Sequence, residues 1–500
     1  IKLGNTAGDS ITTGEYNITV GNNAGTAIST GNRNVVIGAS SGDAITTGAE
    51  NVAIGTSSLT TNTTGSNNVA IGDQALSALT TADNNTAVGR DALLANTTGA
   101  DNVAIGSTAL DENTTGSANT AVGSTALNSN TTASNNTAVG YGSQANNTTG
   151  TDNVSVGSHS LDANTTGSSN TAIGDNALGA NTTGGHNVAV GASALLANTT
   201  ASYNTAVGTA ALEVNTTGDR NCAFGMYALD ANTTASYNSG FGMYALTAAT
   251  TGHSNTALGY SALAYCTTGV GNVAIGYNNS DAITTGAYNV GIGFNTLANA
   301  TTPDNNTAVG NSSMTACTTG DGNTCVGKAS GDDMTTASSC TLIGRDTDAS
   351  SATSAGHEIA IGANCIGKGA STGFINPNAG GVYQGNNSSS WSTTSDRRIK
   401  KNIEDNTTGL DAIKQIRVRN FEYRTEDEIT DFENPKAAVV EKEGKQLGVI
   451  AQEIQDILPE MVKTESTGVM TVDPDNMTWY LVNAVKELSA KVEELEDKLK

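Results

Sequence analysis

The sequence predicts a mainly β protein: a parallel β-solenoid of the β-roll type, followed by a small α+β domain that ends in a coiled coil. Three observations carry this reading. The pattern Asn-x-Ala-(Ile/Val)-Gly returns every 17 residues across 17–344 without slippage. Each repeat holds a short apolar segment of strand size. Near residue 390 the composition changes: only seven of the 23 Lys and Arg precede it, whereas the 47 acids divide 24 before and 23 after. Repeats at a fixed short period read as the coils of a solenoid.

One coil shows how each residue type serves. Val103-Ala104-Ile105 is apolar and β-branched at its ends, so it reads as a strand, and Gly106 ends it at a backbone angle that a Cβ would disfavour. Ala109-Leu110 supplies a second apolar patch, read as a second short strand, and Asn113-Thr114-Thr115-Gly116 makes the return turn. Of the 20 repeats, 19 begin with Asn, and all carry Gly four places later. The middle strand residue is Ala in 13 of the 20. A strand apolar on one face and small on the other is expected to be buried on both, which implies a second contact surface and an oligomer packed along the fibre axis. Twenty coils at about 4.8 Å each would give a rod about 95 Å long. This coil resembles the β-roll repeats of trimeric autotransporter adhesin heads and the repeat shafts of phage tail fibres, although a 17-residue period is longer than the commonest adhesin repeats.

Composition excludes several classes. The formal net charge is −24, and an acidic surface repels phosphate backbones, so no nucleic-acid partner is expected. No run of 18 apolar residues exists, so no membrane span is expected. The chain begins with Ile and shows no secretory signal pattern, and it reads as a fragment or a processed chain. Cys222, Cys266, Cys317, Cys325, Cys340 and Cys365 form no C-x-x-C pair and read as buried free thiols. The four His match no zinc spacing; neither a metal site nor a cofactor is predicted.

Two features of the shaft bear on recognition. Asn-Thr-Thr triplets, as at Asn113 and Asn164, match the glycosylation acceptor pattern, but their periodicity reads better as hydrogen-bonded turn ladders. Tyr260, Tyr277 and Phe294 share one phase in consecutive coils, preceded there by Met226 and Met243. Such a row is a candidate contact for a host-surface glycan or protein receptor, or a hydrophobic ladder that stabilises the solenoid.

The solenoid is expected over 1–344, a Ser- and Gly-rich neck over 345–394, and the C-terminal domain over 395–500. In the neck the phase slips by one, so that Ile359-Ala360-Ile361-Gly362 ends 18 residues after Gly344. The domain reads as a helix over 410–416, a strand over 418–423, a charged loop over 425–445, and a helix after Gly448-Val449-Ile450-Ala451-Gln452-Glu453 that ends near Pro459. Leu481, Val485, Leu488, Val492, Leu495 and Leu499 alternate spacings of four and three, a heptad seam that predicts a coiled coil over 481–500.

At the boundary stands Ser395-Asp396-Arg397-Arg398-Ile399-Lys400. A Ser and a Lys five apart would alone read as an ordinary loop. Followed in order by Gly448, Gln452 and Glu453 of the second motif, by Pro459 and by the heptads, the stretch resembles the self-cleaving intramolecular chaperone that ends phage tail spikes, endosialidases and neck fibres, and also occurs in a membrane-bound animal transcription factor. The resemblance implies that three copies assemble, drive folding of the upstream fibre, and then cut themselves off between Thr394 and Ser395, with Asp396 and Arg398 as motif residues. Chemically, Ser395 needs a base. Lys400 can serve only when neutral, with its pKa lowered by burial or by Arg397, Arg398 and Lys401 nearby. The expectation is a virion tail fibre with a single-turnover Ser-Lys autopeptidase. The alternative is a bacterial surface trimeric adhesin that retains a trimerisation domain. A membrane-tethered transcription regulator would need a basic DNA-binding domain and a transmembrane helix, and the sequence has neither.

Overall fold

The computed structural model describes residues 1–354, 356–376, 382–384, 401–430, 440, 442–465 and 468–499. The chain divides into two compact units, Ile1–Thr319 and Gly320–Lys500.

The first unit is a parallel β-solenoid. It holds Lys2–Leu3 and eighteen three-residue strands, from Ile18–Val20 to Thr307–Val309. Register advances by one 17-residue coil at each step, as in Val103↔Thr120 and Ala104↔Ala121. The central residue of each strand points into the coil: Ala104 is fully buried, whereas Ile105 turns outward and is 41% exposed. Ala is favoured there because the interior must also hold the Leu ladder, in which Leu93, Leu110 and Leu127 are fully buried. The result is a solenoid that leaves a row of Ile and Val on the outer face of its sheet, at Ile37, Ile71, Ile105 and Ile173.

The expected second strand is absent. Each described coil of this unit carries one strand, and the Ala-Leu patch lies on a turn whose alternate residues are left-handed, with Thr108 at φ 52° and Leu110 at φ 55°. A left-handed non-glycine residue costs about 1–2 kcal/mol, and burying a Leu side chain contributes about 1.5–3 kcal/mol, so burial decides the conformation. Hydrogen bonds between coils persist through this stretch, from the Leu110 N–H to Ala126 O (2.9 Å) and from the Glu112 N–H to Asn128 O (3.0 Å). Gly106 sits at φ 140°, and a Cβ there would lie 2.3 Å from Gly123 O. The next coil comes too close for any other residue.

Two asparagine ladders hold the corners. Before the strand, the Asn119 N–H donates to Asn102 Oδ1 (3.0 Å), and Asn119 Nδ2 donates to Ala133 O (2.9 Å). In the return turn, Asn164 Nδ2 donates to Asn147 Oδ1 (2.8 Å) and to Gly167 O (2.9 Å). Asn113 and Asn164 are fully buried, so the triplets are turn ladders rather than glycan acceptors. Thr hydroxyls add a third row, as from Thr114 Oγ1 to Thr131 O (2.9 Å).

The second unit begins with solenoid strands Thr324–Val326, Thr341–Ile343, Ile359–Gly362 and Gly373–Asn376, paired in parallel. The pairing Thr341↔Ile359 carries the expected one-residue slip. Two parallel strands therefore continue into the segment read as neck, and Val382–Gln384 pairs antiparallel with the last of them. Then come helix α1 (Leu410–Ile413), a two-stranded ribbon of Arg419–Phe421 and Gln446–Gly448, helix α2 (Ala451–Gln455), a second ribbon of Val462–Thr464 and Met470–Val472, and helix α3 (Met477–Leu499). Ile454, Leu458, Met461 and Tyr480 form its core, against which Ile413, Ile416 and Val449 pack. The cysteines are free, five of them buried and Cys222 half-buried. Burial pushes the Cys266 thiol up to about 11. No helix among the described residues is long and apolar enough to cross a membrane.

Candidate functional site

Thr394, Ser395, Asp396, Arg398 and Lys400 lie outside the described residues. The geometry of the domain is therefore built from its scaffold.

Gly448 pairs with Arg419 across the first ribbon. A Cβ on Gly448 would lie 3.1 Å from Phe421 Cε1, so the glycine makes room for the ring. Gln452 and Glu453 lie on α2, whose Ile454 enters the core. Glu453 forms a fork with the Arg419 guanidinium, Nη2 to Oε1 at 2.6 Å and Nε to Oε2 at 3.2 Å. The hydrogen bond from Arg419 holds the Glu453 carboxyl below its ordinary range. Thus two of the three downstream motif residues have a structural reason: one lets a ring pack, and the other ties helix to ribbon. Tyr480 donates to Glu460 Oε1, and burial followed by that hydrogen bond pushes the phenol up to about 12.

Helix α3 has two working faces. Leu481, Val485, Leu488, Val492, Leu495 and Leu499 are all exposed, while Tyr480 and Ala484 are buried against the domain. At 3.6 residues per turn, these sets fall on different sides of the helix. Beside the buried pair, Asn483 Nδ2 donates to Asn406 O (2.9 Å) and Thr408 O (3.2 Å). Glu487 Oε2 accepts from the Leu410 N–H (3.0 Å). Gly409 is pressed so close that a Cβ would lie 3.2 Å from Ala484 N. Sequence reasoning missed both side chains, because the heptad pattern marks only the seam of the helix and is silent about its other faces. The available signal was Asn483, a weak helix former in mid-helix and one turn before Glu487.

On the first unit, Tyr260, Tyr277 and Phe294 form a continuous stack, with centroids 5.2 and 5.4 Å apart and planes inclined by 13° and 8°. Tyr244 meets Tyr260 edge-on at 6.0 Å. The ring faces cover one another, so edges and hydroxyls are what a ligand would meet along the row. A parallel stack runs along another corner: His186 lies on Tyr203 at 5.0 Å, and the Arg220 guanidinium sits 5.4 and 5.6 Å from the Tyr203 and Tyr237 centroids. Each such pair contributes about 0.5–1.5 kcal/mol beyond area burial. In the second unit, Asp332, Asp333 and Asp348 bring carboxylates within 4.8 Å of one another, a clustering that exposed acids commonly show without an ion.

Residues 395–463 match a peptidase family described as chaperone of endosialidase. Over 109 residues, 21% of this chain, the sequence is 32% identical to the long tail fibre protein Gp37 of Enterobacteria phage K3 and covers 8% of it. A second match, 32% identical over 109 residues, covers 7% of the long tail fibre protein Gp37 of Enterobacteria phage T2. The match spans under a tenth of these relatives' length. No solved structure matches the chain. The chain thus couples a parallel β-solenoid to a C-terminal chaperone-of-endosialidase domain.

Proposed function

We propose that this chain is a phage tail fibre that attaches the virion to its host. In this reading residues 1–344 are the shaft, 345–394 the neck, and 395–500 a chaperone that assembles three copies and then releases itself. The observation that carries the reading is the family match, which begins at Ser395, the residue to which the resemblance assigns the nucleophile. Support for three copies comes from the apolar residues left outside in a single chain: the seam of α3 and the Ile and Val row of the sheet. An exposed apolar strip of that length marks an interaction surface.

The chemistry balances without a co-reactant other than water. Neutral Lys400 takes the Ser395 hydroxyl proton as Oγ attacks the Thr394 carbonyl carbon. The carbon–nitrogen bond then breaks, Lys400 returns the proton to the departing amine, and an ester joins Thr394 to Ser395 Oγ. Water hydrolyses that ester and leaves a Thr394 carboxylate.

Intact and native mass spectrometry of the full chain test this. Wild type should assemble as a trimer and yield a product ending at Thr394, while Ser395→Ala stays whole. A trimeric wild type that remains uncut would remove the peptidase and leave a permanent trimerisation cap.

A further inference from the structure

The segment that follows the cleavage motif is held by the helix that carries the heptad seam. Asn406 to Leu410 begins six residues after Lys400, and its carbonyls and N–H are engaged from α3 by Asn483 and Glu487, one helical turn apart. The segment adds an internal bond, from the Thr408 N–H to Asn406 Oδ1 (2.8 Å). Gly409 is buried and lies against the helix backbone. A Cβ there would lie 2.2 Å from Glu487 Oε1, so any larger residue would push the Glu487 carboxylate off the segment.

The two faces of α3 make this contact more than a packing detail. Asn483 and Glu487 are half-buried, whereas Leu481, Val485, Leu488 and Val492 on the other side are exposed. At 100° per residue, Asn483 and Glu487 lie roughly 130–170° from the middle of the seam. One rigid element therefore presents its seam outward and grips the chain with its back. A helix with an uncovered apolar seam tends to fray, and packing that seam rigidifies the helix and with it the grip.

We infer that Asn483 and Glu487 are positioning residues that couple assembly of the terminal helices to cleavage, by fixing the chain just downstream of Ser395 and Lys400. The inference rests on the autocleavage reading. It explains how cutting could await assembly without the partner copies supplying a reacting group: the nucleophile and base gain a defined tether once α3 is held on both faces. A misplacement of about 1 Å at the reacting atoms can cost ~100-fold in rate, so a lost tether need not disturb the fold to be felt.

The test follows cleavage by intact mass over time and assembly by native mass spectrometry, on the full chain. Asn483→Ala combined with Glu487→Ala should remain trimeric and cleave about tenfold more slowly or worse. Glu487→Gln keeps an acceptor for the Leu410 N–H, and its trimer should cleave close to the wild-type rate; a purely structural part for Glu487 would predict no such split between cleavage and assembly. Should the double variant fail to assemble, Asn483→Asp, of equal size but without the amide donor, takes its place with the same expectation. A trimeric variant without the grip that cuts as fast as wild type overturns the inference and leaves autocleavage standing. A wild type as inert as Ser395→Ala removes the autocleavage reading and the inference together.

Discussion

At the scale of single residues, stability resides in rungs that must be complete to be inexpensive. From Asn113 to Asn215 each buried turn asparagine gives its amide to the previous rung and offers its carbonyl to the next. The ladder ends at Asn232, because Ala249 follows in the same phase, and Asn232 Oδ1 is buried without a partner. The inner rung Asn164 donates to Asn147 and accepts from Asn181 Nδ2 (2.9 Å). Asn164→Ala therefore unpairs the rungs on both sides, whereas Asn232→Ala unpairs Asn215 Oδ1 on one side only and removes a carbonyl oxygen that had no partner. Chemical denaturation should show Asn164→Ala to be the costlier, by about 1 kcal/mol, the worth of one hydrogen bond. Equal costs would mean that the rungs do not act as a chain. That these Asn line turns was legible from their period. The buried carbonyl at Asn232 was not, because it depends on what the next coil lacks.

At the scale of the element, the coil end in the second unit carries a charge conflict. Asp332 and Asp333 stand on one coil, and Asp346 and Asp348 on the next; Arg345 meets Asp346 at 3.5 Å. Burial first, then repulsion from Asp332 and Asp333, pushes Asp348 up from 3.8 to about 6. A carboxyl with a raised folded pKa favours the fold while protonated. Its contribution is full below the unfolded value and is lost as the pH rises through about 6. Asp348→Asn should thus raise the melting temperature at pH 7.5 and leave it nearly unchanged near pH 4. A gain of equal size at both pH values would sink this account. The same scale shows why the second strand was misread: Ala109-Leu110 has a strand's composition, but Leu110 adopts a left-handed angle that only packing against Leu93 and Leu127 makes favourable. Helix α1 likewise stops at Ile413 rather than at 416, with Ile416 closing a tighter turn onto Ile413 O (3.2 Å).

At the scale of the whole molecule, attachment would depend on repetition. Three shafts in one fibre would present the Tyr260, Tyr277 and Phe294 row three times, and linked sites bind through effective concentration rather than through one strong contact. Because the ring faces are stacked together, edges and hydroxyls would carry recognition. Tyr260→Ala combined with Tyr277→Ala in the trimeric fibre should reduce adsorption to host cells by about tenfold or more, since avidity multiplies a loss at each copy. Unchanged adsorption would leave the row as a stabilising ladder, the other reading that its sequence allowed.

The sequence by itself determined the 17-residue coil, its Asn turns, its Gly corners and the seam of the last helix. Each of these follows from periodicity, and periodicity is written in one dimension. Tertiary structure decided the rest: which face of the short strand is inside, that the Leu patch is a turn, why Glu453 belongs to its motif through Arg419, and that Asn483 and Glu487 reach the chain at 406–410. Those features join residues far apart in sequence or set backbone angles through packing, and such terms arise only after the chain has folded back on itself.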